Sequence, residues 1–161
     1  MQDLIHSVSM PDFMYTDHMK YMGIDYGTKR IGIAVSDDGG TIAFPRVVIQ
    51  NTPKLFTELL DIIKSESVQE IVVGKSMDQE GNRNIVMDDI DAFVEELEQL
   101  TKLKVHMEDE RFTSHFLKSF DFTKSIEKPI SRDRNKKQTG TTIDAQAAAS
   151  ILQRFLEGNK M

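Results

Sequence analysis

Residues 23–37 read Gly-Ile-Asp-Tyr-Gly-Thr-Lys-Arg-Ile-Gly-Ile-Ala-Val-Ser-Asp, and this stretch decides the architecture of the 161-residue chain. Its apolar opening makes Tyr21–Asp25 a strand, which Gly27 breaks. Arg30–Ser36 is a second strand, with Ile31, Ile33 and Val35 alternating. The two form a hairpin. Asp37-Asp38-Gly39-Gly40 has the composition of a turn, so Thr41–Ile49 returns as a third antiparallel strand. Pro45 within it has no N–H to give to a ladder, which predicts an edge or interrupted position.

Beyond the hairpins the period changes. Thr52 followed by Pro53 predicts a helix start, with Leu55, Phe56, Leu59, Leu60 and Ile63 as its apolar stripe. Glu70–Gly74 is a short strand whose Ile71-Val72-Val73 lacks polar alternation, as in a central strand covered on both faces. Ile85–Leu100 has helical spacing, and the acids between its apolar residues form a solvated outer face. Lys104–Glu108 is a further strand and Thr113–Phe120 a helix. A closing helix spans Thr142–Leu156, with Ile143, Ala147, Ile151 and Phe155 in one row. The order β-β-β-α-β-α-β-α-α predicts an α/β fold. Its mixed five-stranded sheet has three antiparallel strands followed by parallel ones, with helices on both faces.

The length is that of one domain, assigned to residues 20–158, with residues 1–19 expected to be a disordered leader or a misassigned start. With 39% hydrophobic residues and no apolar run near the roughly 18 residues of a membrane span, the chain is neither disordered nor membrane-inserted. The absence of cysteine excludes disulfides, thiolate metal sites and cysteine nucleophiles, and points to the reducing cytoplasm. Twenty-six acidic residues against 20 basic give a net charge of −6, which excludes a surface that is basic throughout but leaves room for a local patch. Such a patch is present in sequence between Thr123 and Thr141, a polar loop carrying Lys124, Lys128, Arg132, Arg134, Lys136 and Lys137.

Three acidic positions could carry chemistry. Asp25 ends a buried strand, before small residues that let a ligand's oxygens approach the backbone; alternatively it only caps the bend before Gly27. Glu108-Asp109-Glu110 ends a strand just before a helix, where one acid would serve the helix dipole and three exceed that need. Asp144 lies three residues after Thr141, which also fits a capping box, and beside Ala145, Ala147, Ala148 and Ala149, which would let the helix lie close to a sheet. If the strands of Asp25 and Glu110 are neighbours and the Asp144 helix packs over them, three carboxylates converge. Such oxygen ligands suit Mg2+ or Mn2+ and support two-metal displacement at phosphorus. Tyr26 and Phe112 could stack on bases, although packing is the commoner use of such rings.

The stretch GIDYGTKRIGIAVSD resembles the opening motif of the YqgF/RuvX family, and the likeness continues in EIVVG, EDERFTS and TIDAQAAASILQ, in the family's order. It spans Met22 to about Leu156. The resemblance implies an RNase H-like fold and a nuclease that matures the 5′ end of pre-16S rRNA, with Holliday-junction resolution as an alternative. It also implies that Asp25, Glu110 and Asp144 take the family's acidic, metal-binding positions. After EIVVG the chain departs from the family's usual Leu-Pro, reading Lys75-Ser76-Met77-Asp78-Gln79-Glu80-Gly81. Lys29, Arg30, Lys75, Arg111, Arg132, Arg134, Lys136 and Lys137 are the candidate phosphate contacts. The expected partner is nucleic acid, either precursor rRNA or branched DNA, bound by a monomer or a homodimer. Two other classes compete. A nucleotide-binding ATPase of the actin and sugar-kinase type would need two copies of the fold, and a non-catalytic RNA-binding assembly factor would bind without cleaving.

Overall fold

A computed structural model describes residues 19–75, 86–109 and 139–159. Three strands open it: β1 (Tyr21–Asp25), β2 (Arg30–Ser36) and β3 (Ala43–Gln50). They are followed by α1 (Leu55–Glu66), β4 (Glu70–Lys75), α2 (Val86–Thr101), β5 (Lys104–Asp109) and α3 (Thr139–Gly158). The sheet order is β3-β2-β1-β4-β5, with β2 antiparallel to β1 and β3, and β4 parallel to β1 and β5. The expected mixed sheet is therefore present. The helix expected over Thr113–Phe120, the leader and the basic segment before α3 lie outside the described residues.

Pro45 behaves as its missing N–H requires. It lies on the edge strand β3, beside a register shift at which Ile33 pairs Val47 and Ala34 pairs Pro45. The start of α1 differs from expectation. The regular helix begins at Leu55, behind Lys54, which makes no side-chain cap. Thr52 acts one turn earlier: its hydroxyl accepts the Lys54 N–H at 3.4 Å and its carbonyl the Leu55 N–H at 2.9 Å, closing a turn ahead of the helix. Ser67 ends α1 in the left-handed conformation (φ 56°, ψ 43°), its N–H directed to the carbonyls of Ile63 and Lys64.

The two faces of the sheet are filled differently. Met22, Ile24, Ile31, Ile33, Ile71 and Val73 are all wholly buried and pack against Leu55, Leu59 and Ile63 of α1 and Met87, Ile90, Phe93 and Leu97 of α2. Because strand side chains alternate, Tyr21, Gly23 and Asp25 of β1 and Arg30, Gly32, Ala34 and Ser36 of β2 face the other way, toward α3. There the core is small: Ala34, Ala43 and Val72 meet Ala148, Ala149, Ile151, Leu152 and Leu156. The buried row of α3 is thus not the expected Ile143, Ala147, Ile151, Phe155. Ile143 is exposed and Phe155 half-buried, while the alanines occupy the face that touches the sheet. Large side chains in that row would hold the helix away from the strands.

Two glycines set the contact. A Cβ on Gly23 would stand 2.7 Å from Leu152 Cβ and 2.8 Å from the Ala148 carbonyl, and one on Gly32 would collide with the Asp144 carbonyl. Gln153, buried on α3, fixes the helix along its length by accepting the Ala43 N–H at 2.9 Å and donating to the Thr41 carbonyl at 3.3 Å. The β2–β3 turn is held by Asp37, whose carboxylate accepts the N–H groups of Thr41 (2.6 Å) and Ile42 (2.8 Å) and the Thr41 hydroxyl (2.8 Å). Partial burial opposes ionisation of Asp37, but these three hydrogen bonds outweigh it and hold the carboxyl below its ordinary value.

Gly32→Ala should lower folding stability by about 2–3 kcal/mol, because backbone rather than a flexible side chain blocks the new methyl group. Chemical denaturation checks this, with the midpoint falling at unchanged slope. The Asp37 carboxyl is acidified by folding, so its contribution is complete above the unfolded-state value and drains as pH falls through the folded-state value. Asp37→Asn should therefore be less stable than wild type near neutrality, and the two denaturation midpoints should converge in strong acid.

Candidate active site

The parallel strands β1, β4 and β5 all end at one edge of the sheet, at Asp25, Lys75 and Asp109. Asp25 pairs with Gly32 across the first hairpin, and the Asp144 carbonyl of α3 lies directly against Gly32. Asp25 and Asp144 therefore stand on the same face of the sheet, separated by a residue without a side chain. α3 begins at Thr139, so Asp144 sits in its second turn and does not cap it, which corrects the capping-box reading. The interior position commits its carboxylate to what lies beneath the helix. Oδ2 of Asp144 is buried and lies 3.1 Å from Arg30 Nε, yet among the described residues it accepts no hydrogen bond of acceptable geometry.

The loop joining Asp25 to β2 is fixed from outside. Asn51, just past β3, donates from Nδ2 to the Gly27 carbonyl at 3.1 Å and to the Tyr26 hydroxyl at 3.2 Å. Its own N–H reaches the Lys29 carbonyl at 3.0 Å. The Tyr26 ring packs against Phe93 with centroids 4.9 Å apart, so it serves the core rather than an exposed stacking surface. Lys29 is exposed at the tip of this loop and Arg30 opens β2. Lys75 ends β4 at the same edge, although alternation with Ile71 and Val73 turns it to the α1/α2 face.

The strands carrying Asp25 and leading to Glu110 are not neighbours: β4 runs between β1 and β5. Ile24 pairs Val73 and Gly74 pairs Glu108, so Asp25 and Glu108 stand level, with Gly74 between them. Two strand spacings separate them by roughly 9–10 Å. Glu108 is engaged with Arg154 of α3, whose Nη2 lies 3.1 Å from Glu108 Oε1 and also donates to the Asp109 carbonyl. Arg154 thus grips the final two residues of β5. The sequence reading passed over both Asn51 and Arg154. Arg154 has a usable signal, a lone cation in the apolar stretch Ile151–Leu156, whereas Asn51 has none short of the fold.

Glu110, Arg111, Phe112, Arg132, Arg134, Lys136 and Lys137 lie outside the described residues. Among the described residues, no group of three His, Asp or Glu is placed to hold a metal ion. None of the described helices is long and apolar enough to cross a membrane.

The RuvX family, described as Holliday junction resolvase, matches residues 19–158. A protein of Nitratidesulfovibrio vulgaris (strain Miyazaki F) named "Putative pre-16S rRNA nuclease" is 37% identical over 142 residues, covering 86% of this chain and 93% of its own length. A protein of the same name from Rickettsia typhi is 36% identical over 149 residues, covering 86% and 85%. Among solved structures, the chain is similar to Thermus thermophilus RuvC in complex with a Holliday junction substrate (TM-score 0.54, 13% identity, 89% of this chain and 96% of that one). It is also similar to the yeast mitochondrial Holliday junction resolvase Ydc2 (TM-score 0.50, 13% identity, 86% and 78%). At such identity these two structures establish the shared fold alone.

Removing the guanidinium in Arg154→Ala strands the half-buried Glu108 carboxylate and frees the Asp109 carbonyl. Stability should fall by roughly 1–3 kcal/mol. Amide hydrogen exchange at Glu108 and Asp109 should accelerate more than exchange in β1, which mass spectrometry of the exchanged protein would reveal.

Proposed function

From the premise that the chain belongs to the RuvX family, we propose that it is a divalent-metal-dependent nuclease that processes the 5′ end of pre-16S rRNA in the cytoplasm. The single observation that carries this reading is the pairing of Asp25 and Asp144 over Gly32, with a buried Asp144 oxygen that accepts no hydrogen bond among the described residues. That oxygen fits a cation. Magnesium is commonly bound through one or two carboxylates, its remaining positions left to water and substrate phosphate, so two acids suffice to begin a site. Asp25 and Asp144 would hold the ion, and Glu110, which follows Asp109, is proposed as the third acid. Bound there, divalent ions supply activation of water and charge stabilisation for phosphodiester hydrolysis, in the two-metal manner if two are held.

The chain's own residues account for the rest. Lys29 at the loop tip and Arg30 at the head of β2 offer positive charge beside the carboxylates, where an incoming phosphodiester must lie. Arg111 and the basic residues Arg132, Arg134, Lys136 and Lys137 are proposed to extend this contact along the nucleic acid. The domain we assign to this activity is residues 20–158. The names of the relatives favour precursor rRNA, and the family description favours a four-way DNA junction as the second reading.

Asp25→Asn and Asp144→Asn should each retain the wild-type circular dichroism spectrum and lose magnesium-dependent cleavage by roughly two orders of magnitude or more. The assay pairs a labelled pre-16S 5′ fragment with a labelled four-way junction. Cleavage of the RNA alone supports the first reading and cleavage of the junction alone the second. Undiminished cleavage of either by both variants would remove the carboxylate pair from the mechanism.

A further inference from the structure

We propose that Arg30 is the resident counter-ion of Asp144, yielding its place to a divalent cation and then engaging a nucleic-acid phosphate, so that metal and nucleic acid bind cooperatively. This rests on the reading of Asp25 and Asp144 as the cation-binding pair. The contact is made through Nε, at 3.1 Å from Asp144 Oδ2, and its geometry falls short of a hydrogen bond. Arginine holds a carboxylate most firmly through two parallel N–H bonds, which this approach does not provide. The Arg30 side chain is 45% exposed whereas Asp144 is 27% exposed. One partner is therefore held in the second turn of a packed helix, and the other is more exposed to solvent.

The placement of Arg30 follows from the fold. It shares the α3 face with Gly32, two residues on in β2, and it lies at the strand end where Asp25 also stands. With no cation bound, two carboxylates facing one glycine repel each other, and a guanidinium beside Asp144 relieves that repulsion. A dication on the same oxygen and a guanidinium 3.1 Å away cannot share the position at low cost, because like charges at that range repel strongly. Arg30 must withdraw when the ion enters. A phosphodiester next to the site offers the withdrawn guanidinium its best acceptor. Since binding linkage is reciprocal, whatever draws Arg30 to phosphate strengthens metal binding, and metal binding releases Arg30 for phosphate.

The sign of the effect distinguishes this role from a structural one. In Arg30→Ala, Mn2+ binding to the full-length protein, measured by electron paramagnetic resonance, should tighten by roughly three- to thirtyfold. Affinity for a labelled pre-16S 5′ fragment without metal should fall, with the slope of log affinity against log salt reduced by about 1. The fragment should also sharpen Mn2+ binding in wild type more than in the variant. Arg30→Gln should follow Arg30→Ala, and Arg30→Lys should restore most of the wild-type behaviour. Unchanged or weaker Mn2+ binding in both Arg30→Ala and Arg30→Gln overturns the proposal while leaving the carboxylate site standing. If wild type itself takes up no Mn2+, or if Asp144→Asn binds it as wild type does, the metal reading falls and takes this inference with it.

Discussion

The site depends on how closely α3 approaches the sheet. An ordinary helix on a sheet is held off by two layers of side chains, but here the contact runs over Gly23 and Gly32, adjacent strands' residues with no Cβ. The helix answers with Ala145, Ala148 and Ala149, so backbone meets backbone at the Asp144 and Ala148 carbonyls. A carboxylate in the second turn of α3 is thereby brought to the residue that pairs with Asp25. A larger side chain at either glycine would separate the two acids before it altered either one.

The opposite face carries the larger apolar layer. Six fully buried apolar side chains from β1, β2 and β4 pack against α1 and α2 on the side of the sheet away from α3. Burial of that kind stabilises by roughly 1.5–3 kcal/mol per large side chain, before the entropy of ordering is subtracted. Polar fastenings then fix the pieces that carry chemistry. Asn51 holds the loop after Asp25, Gln153 ties α3 to β3, and Arg154 grips the end of β5. At the other end of the strands His106 and Glu70 meet at 2.6 Å between β5 and β4, away from the carboxylates. Asn51, Gln153 and Arg154 thus spend their polar groups on geometry.

Strand identity was legible wherever alternation or an unbroken apolar run left one interpretation. Tyr21–Asp25 and Arg30–Ser36 coincide with β1 and β2, and β4 and β5 each extend one residue past expectation. Helix ends were less legible, because a cap depends on which backbone groups are already engaged. Thr52 holds the turn that leads into α1 rather than the first residue of the regular helix, and Asp144 looked like a capping acid because the helix starts earlier than its apolar pattern. The row Ile143, Ala147, Ile151, Phe155 misled for a related reason. Spacing favours large residues, whereas a helix seated on glycines buries its small ones. Sheet order left no local trace, since the pairing that inserts β4 between β1 and β5 is made across more than 30 intervening residues.

That insertion constrains how a third acid could join the pair. Across a central strand the backbones of Asp25 and Glu108 stand roughly 9–10 Å apart, so the two acids could share an ion only with both side chains turned inward, and Glu108 is committed to Arg154. Gly74 between them is buried and puts no side chain at that level. On the proposed reading, the oxygens of a phosphodiester at this edge would complete the coordination of an ion held by Asp25 and Asp144. The net charge of −6 points the same way: an acidic protein can accept a polyanion at its carboxylate edge only where local cations outweigh the field of the whole. Lys29 and Arg30 stand at that edge, and on the proposed reading a divalent ion would add the charge that two side chains cannot.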